Sequence, residues 1–429
     1  MFFKRFLLLL ALQLLMLPAY VLNGQTTLHQ LIVASGGAFS NPNDFVSLAA
    51  YNPITQATTN FGEIKTQAVQ AVCINEDVLY VTATDSIVAY NLDTYQRIAA
   101  VAVQGVRYML VSGEMLVVSI QYPATENFIR IFNKNSLQYL GSISQISDEA
   151  AGMVLYDGKI YVAVPGSWMS TVGKLAVLNA VDGSFIEEIE LGSNGEGIHD
   201  LFVNNGKVLS VNRSPWGSTT GTISVFDPVS KTVDHHTFPY HIGKGFAINE
   251  QSLYVFMNDA VGVINLVDWT VTHAALLPDP GSSSFIYYAD AVLDGLNGRI
   301  YATVTDYFSM GEGYIYDLEG SLKGNFAAGI SAEALALDYR QPSFNTEITY
   351  ATVSVSPNPA SSSLFIGLKT EMARGRYNIY SSSGKVLQSG DFNSAINKSL
   401  DVSALSAGCY VLAVFSEDGT VLRCTFIKQ

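Results

Sequence analysis

Short apolar runs recur along this chain in pairs, about 45 residues apart. Each run has the length and alternation of a β-strand, and the 3.6-residue rhythm of a helix is almost absent beyond the N-terminus. The first member of each pair stands at 31–35, 79–83, 116–120, 160–164, 208–212, 253–257 and 300–304. The second member closes each time on an apolar residue followed by Asn or Asp: Tyr51 and Asn52, Tyr90 and Asn91, Phe132 and Asn133, Leu178 and Asn179, Phe226 and Asp227, Ile264 and Asn265, Tyr316 and Asp317. The fourth unit shows the full order: an inner strand at 151–156, a turn at Asp157 and Gly158, a second strand at 160–164, a loop, a third strand at 174–179 and an outer strand at 185–190. Period-two alternation aims one face of every strand at each neighbouring unit.

Seven four-stranded units arranged radially make a β-propeller. The first unit lacks an inner strand, because the chain enters it directly at Leu31, while a spare strand at 333–338 has no unit to follow. Pairing that strand with 31–35 closes the ring and removes exposed sheet edges. The expected organisation is therefore all-β: a leader over 1–24, a seven-bladed propeller over 28–340, a linker over 341–350, and a small Ig-like β-sandwich over 351–429. The last is read from short strands with regularly spaced turns.

Composition sharpens this in three places. Lys4 and Arg5, an apolar stretch to Leu17 and then Pro18 read as a secretory signal, too short to span a bilayer comfortably. The formal net charge of −14 argues against binding to nucleic acid or anionic lipid. Of the three cysteines, Cys73 reads as a small buried residue, and a hairpin turning at 416–419 sets Cys409 opposite Ile427 and Cys424 opposite Leu412. That offset places the two beyond disulfide reach.

Candidate chemistry sits on loops. The links between second and third strands are tight at Thr84 and Asp85 and at Asn258 and Asp259, and longer elsewhere. The longer ones carry Phe39, Tyr122, Trp168, Trp216, Tyr307 and Phe308, a set suited to stacking on a ring-shaped ligand or, alternatively, to capping the blades. Arg107, Glu149, His199, Lys244, Tyr288, Asp290 and Glu333 enter the inner strands, where radial symmetry sets them around the channel mouth to bind or merely to hydrate it. Glu149, His199, Asp290 and Glu333 are the one set with the groups of a propeller lyase or hydrolase. The six histidines lack metal-ligand spacing, so no metal and no cofactor is expected. The glycine-rich 192–197 segment has no following helix and reads as an inter-blade turn, not a phosphate loop.

Two resemblances follow. Leu79, Tyr80, Val81 and Thr82, with the recurring Tyr-Asn or Phe-Asp step, resemble the YVTN-repeat, YncE-like surface-layer propellers over 28–340, although Ala83 stands where that repeat prefers Asn. The entry at Pro357, Asn358 and Pro359, the hairpin at Ser383, Gly384 and Lys385, the turn from Leu405 to Tyr410 and the terminal Lys428 resemble the C-terminal sorting domain of the type IX secretion system of Bacteroidota. The second resemblance implies Sec export, recognition of 351–429 by the outer-membrane machinery, removal of the tail, and a propeller released or held at the cell surface. Some related surface propellers in these bacteria act beside TonB-dependent transporters and capture cobalamin. The expectation is thus a secreted or surface-attached protein that binds a small molecule, glycan or protein on its loop-rich face. The alternatives are an extracellular polysaccharide lyase or hydrolase, and a structural or adhesive surface-layer component.

Overall fold

The computed structural model describes residues 26–340, 353–381, 385–416 and 421–429. Residues 1–25, 341–352, 382–384 and 417–420, and with them the expected leader and linker, lie outside the described residues. Two compact units result: Thr26–Arg340, and a second that holds Gln341–Gln429.

The first unit contains seven four-stranded antiparallel sheets. Six are consecutive in sequence. Blade 1 is not: its inner strand is Ser331–Arg340, followed outward by Thr27–Gly36, Val46–Asn52 and Ala57–Ile64. The pairing of Leu31 with Leu337, Ile32 with Ala336 and Val33 with Leu335 is the expected closure of the ring. The inner strands of blades 2 to 7 are Val69–Asn75, Val106–Ser112, Met153–Tyr156, Ile198–Asn204, Ile242–Asn249 and Tyr287–Asp294. Each touches the inner strands of the blades before and after it, and the circuit closes through Ser331–Arg340.

Seven apolar clusters fill the seven interfaces between blades, and strict alternation builds them. In blade 2, Leu79, Val81 and Ala83 pack toward blade 1 while Tyr80 packs toward blade 3. In blade 4, Ile160, Val162 and Val164 face blade 3, and Tyr161 and Ala163 face blade 5. A one-residue slip in either strand would exchange the two sets, so burial on both faces fixes the register.

The Asn or Asp that ends every third strand has a local task. Its side-chain oxygen accepts the backbone N–H two or three residues on, as Asn52 does from Ile54 and Thr55 (2.9 Å each) and Asp227 from Val229 (2.9 Å) and Ser230 (3.1 Å). The same bonds form at Asn91, Asn133, Asn179, Asn265 and Asp317. These Asx turns reverse the chain into the outer strand. They lie at the end of the blades away from the long loops.

The second unit is a single hydrogen-bonded sheet that makes two layers. Its long strand Ser363–Ser381 pairs along one edge with Val386–Asp401; its other edge takes Ser354–Ser356 near the start and Gly408–Ser416 near the end. Leu364, Ile366 and Leu400 from one part meet Ile379, Leu412 and Phe426 from the other in one core. The two layers of the expected sandwich thus share strands. Cys409 opposes Ile427, Cys424 opposes Leu412, and all three cysteines are free thiols.

Candidate functional site

Both loop sets lie at one end of the propeller and are stitched together. Gln121 N–H donates to Gly105 O (2.8 Å), Leu191 N–H to Gly173 O (2.8 Å), and Gly311 N–H to Gly329 O (3.0 Å). Among these loops a cavity of about 640 Å³ opens over blades 2 to 5. Its floor is Arg107 and Tyr108 from blade 3 with His199 and Arg213 from blade 5, and its walls are the loop at 165–170 and the loop at 213–216. Trp168 and Trp216 crown those walls with relative exposures of 88% and 101%. Neither indole folds back to cap a blade.

The inner strands reach this floor through β-bulges. Val69 pairs with Ala83 and Ala71 with Thr82, leaving Gln70 as the extra residue. Arg107 and Tyr108 likewise share one step of the ladder between Val106 and Met109, His199 falls between Ile198 and Asp200, Gly243 and Lys244 share a step between Ile242 and Gly245, and Glu333 is re-aimed between Ser331 and Ala334 while its neighbour Ala332 stays in the core between blades 7 and 1. A bulge breaks the alternation for one step and re-aims a side chain out of the inter-blade packing. That is how polar groups come to surround the channel in a protein whose strands are otherwise apolar on both faces.

A charged chain runs through this floor. Arg213 Nη2 donates to Tyr108 Oη (3.0 Å) and to Asp200 Oδ1 (3.3 Å), and Gly245 N–H donates to Asp200 Oδ2 (3.0 Å). His199 Nδ1 lies 3.2 Å from Asp200 Oδ1, and its ring stands edge-on to Tyr108. Burial, and then the Arg213 charge, lower the His199 imidazole to about 4, against the pull of Asp200. The ring is neutral at pH 7; with Nδ1–H donating to Asp200, Nε2 carries the lone pair. Burial alone would raise the Asp200 carboxyl, but Arg213 and His199 outweigh it and hold that group well below the usual range.

His199 sets an acid limit on the fold. Its folded value lies below the unfolded 6.5, so between those values the unfolded chain binds more protons and stability falls as pH falls. The loss amounts to on the order of 3 kcal/mol by pH 4. In His199→Asn this component disappears, so the Tm difference between the two proteins should change sharply from pH 7 to pH 4. A constant difference would contradict the assignment.

The remaining expected residues disperse. Lys244 and Asp290 face a second, smaller cavity of about 260 Å³ in the channel. There Asp290 is fully engaged: Oδ1 accepts from Lys244 and from Ala291 N–H (2.8 Å), and Oδ2 from Leu335 N–H (2.8 Å). Glu333 lies beside this pair, its carboxyl raised by burial. Glu149 is raised by burial too, partly offset by a hydrogen bond from the Tyr122 backbone, and thus holds the blade 3 loop. Tyr122 and Phe39 are exposed, Tyr307 is partly covered, and Phe39 N–H donates to Tyr307 O (3.2 Å) across blades 1 and 7. Tyr288 departs from expectation. In blade 7 the bulge falls on Ala289, so Tyr288 stays in the ladder, stacks on Phe256 in the blade 6–7 interface and donates to Pro278 O (2.9 Å). Of the thirteen expected positions, the large cavity gathers Arg107, Trp168, His199 and Trp216.

Arg213 was missed, and the fold shows how it could be found. It is the first residue after the second strand of blade 5, equivalent to Gln121 in blade 3 and Pro165 in blade 4, and all three line the cavity. His235 and His236 lie in the outer strand of blade 5, where His236 stacks on Trp269 with ring centroids 3.7 Å apart. Among the described residues no cluster of three or more His, Cys, Asp or Glu is placed to hold a metal, and no helix is long and apolar enough to cross a membrane.

Residues 354–428 match the family described as the secretion system C-terminal sorting domain. The tail is therefore a sorting domain, which implies handling by type IX secretion machinery and delivery to the cell surface or beyond. No curated protein matches the chain. Similar solved structures include the RRP9 WD40 repeats (12% identity, 70% of this chain and 87% of that one, TM-score 0.47). Others are BamB from Moraxella catarrhalis (12%, 80% and 95%, 0.44) and the extracellular domain of a putative one component system from B. thetaiotaomicron (11%, 93% and 57%, 0.47). At these values none of them speaks to ligand or activity.

Proposed function

We propose that this is a secreted binding protein that captures a ligand in the cavity between Trp168 and Trp216 and does not transform it. One observation carries the reading: two indoles in full contact with water rim a cavity whose floor holds Arg107, Arg213 and a neutral His199. An indole left in water forgoes about 25 cal/mol per Å² of burial, and a ligand laid against it recovers that. Pockets of this size with few convergent polar groups are the usual shape of a ligand site.

The placement of the expected acid–base residues supports binding over catalysis. Of Glu149, His199, Asp290 and Glu333, His199 alone lines the cavity, and the Asp290 carboxylate is already fully engaged. A YVTN-type surface propeller of a member of the Bacteroidota, handing a corrinoid or another nutrient to a TonB-dependent transporter, fits this reading.

Thermal-shift screening against corrinoids, haem, oligosaccharides and divalent metals tests it. The expected result is one ligand class that raises Tm, with the rise abolished in Trp168→Ala or Trp216→Ala and no product formed from the ligand. A rise that survives both substitutions would place the site elsewhere, and turnover of the ligand would favour a lyase or hydrolase.

A further inference from the structure

Resting on that reading, we propose that the captured ligand is an acidic saccharide: a short glycan whose rings lie against Trp168 and Trp216 and whose carboxylate is taken by Arg107 and Arg213.

Charge is the first argument. The chain carries a net −14, with 23 Lys and Arg against 37 Asp and Glu, yet no residue lining the large cavity is acidic and two are arginines. Asp200 pairs with Arg213 from behind. Arg107 has only a neutral side-chain partner, the Gln70 carbonyl that accepts from its Nη1; the Glu149 charge acts on it at longer range. The charged groups that face the cavity are thus cationic, and the ligand charge they fit is an anion.

Hydrogen bonding is the second. Arg107 Nε and Arg213 Nε are both buried and without a partner. A buried unmet donor is costly, and native proteins retain it where something outside the chain completes it. A carboxylate meets a guanidinium side-on through two parallel N–H···O bonds, and the Nε edge is one side of that fork. Arg107 is held only through Nη1 by Gln70, so a turn of its guanidinium toward the cavity would satisfy its orphan donor and the ligand together, while Arg213 stays bonded to Asp200 and Tyr108.

The walls decide what carries the carboxylate. Beside the two indoles stand the hydroxyl-bearing Ser167 and Ser170, and the neutral His199 Nε2 supplies an acceptor. Flat aromatic faces alternating with small donors and acceptors suit a hydroxyl-rich ring. A tetrapyrrole carboxylate would share the arginine contact, but its broad apolar face calls for an apolar wall. At about 640 Å³ the cavity admits more than one sugar ring.

The test is calorimetric titration of the full chain with trigalacturonate and a hyaluronan tetrasaccharide, beside methyl-esterified trigalacturonate and maltotriose. The acidic probes should bind, with affinity at least 10-fold above their neutral counterparts and falling as salt rises. Arg107→Gln, which leaves the Asp200–Arg213 pair intact, should remove most of that preference while the fold, followed by Tm, persists. Equal binding of neutral and acidic probes would overturn acid recognition and leave capture standing. Failure of every saccharide while a corrinoid or haem raises Tm would also overturn it and leave capture standing. Failure of all these probes would remove both.

Discussion

Asp290→Ala should destabilise the propeller by about 3 kcal/mol. The carboxylate is 5% exposed and joins three groups: Lys244 of blade 6, Ala291 of its own strand and Leu335 of the strand that closes the ring. Removing it strands an ammonium and frees two buried N–H groups. Breaking a buried ion pair from one side typically costs 3–5 kcal/mol, and partial water access at Lys244, whose side chain is 29% exposed, keeps the figure at the lower end. Asp200 makes the equivalent bond to Gly245 across blades 5 and 6, so these two carboxylates tie successive inner strands together. Urea denaturation of the wild type, Asp290→Ala, Lys244→Met and the double variant checks this. The double variant should lose clearly less than the sum of the singles, because the stranded charge is gone; simple additivity would deny the pair.

Loss of the tail should abolish delivery without touching the fold. Residues 354–428 form a sorting domain, and the propeller core contains none of them. A chain ending at Arg340 should fold with an unchanged Tm and remain in the periplasm, whereas the intact chain reaches the surface or medium. Cell fractionation with a blot for the propeller reads this, and 351–429 fused to a periplasmic reporter should carry it out. Surface delivery of the truncated chain would show that the address lies elsewhere.

Much of this architecture was legible because burial on both strand faces leaves a strong trace. Leu79, Val81 and Ala83 alternate with Tyr80 and Thr82, and that alternation specifies which blade each will touch. The ring closure was legible too, since the strand at 333–338 has no unit of its own and blade 1 lacks one. The register that holds Cys409 away from Cys424 followed from turn position alone.

The site was less legible, for a physical reason. Whether a polar residue at the head of an inner strand faces the channel depends on where the bulge falls, and no residue type marks a bulge. Arg107 and His199 are extruded, whereas in blade 7 the bulge takes Ala289 and leaves Tyr288 in the packing. Arg213 stood outside both sets of candidate positions, although it follows a strand in the same place as Gln121 and Pro165. The pairing of His236 with Trp269 joins outer positions of two blades, a contact that repeat spacing does not disclose.

Acrylamide quenching of tryptophan fluorescence, with and without the ligand that raises Tm, tests the capture site most directly. The described residues include all three tryptophans: Trp168 and Trp216 in open solvent, Trp269 covered by His236. The account predicts that ligand shields the two open indoles to the extent the site is filled, while Trp269 is unaffected. The Trp168→Phe and Trp216→Phe proteins should each lose one of the shielded components. A ligand that stabilises the protein yet leaves both open indoles as quenchable as before would place capture away from this cavity.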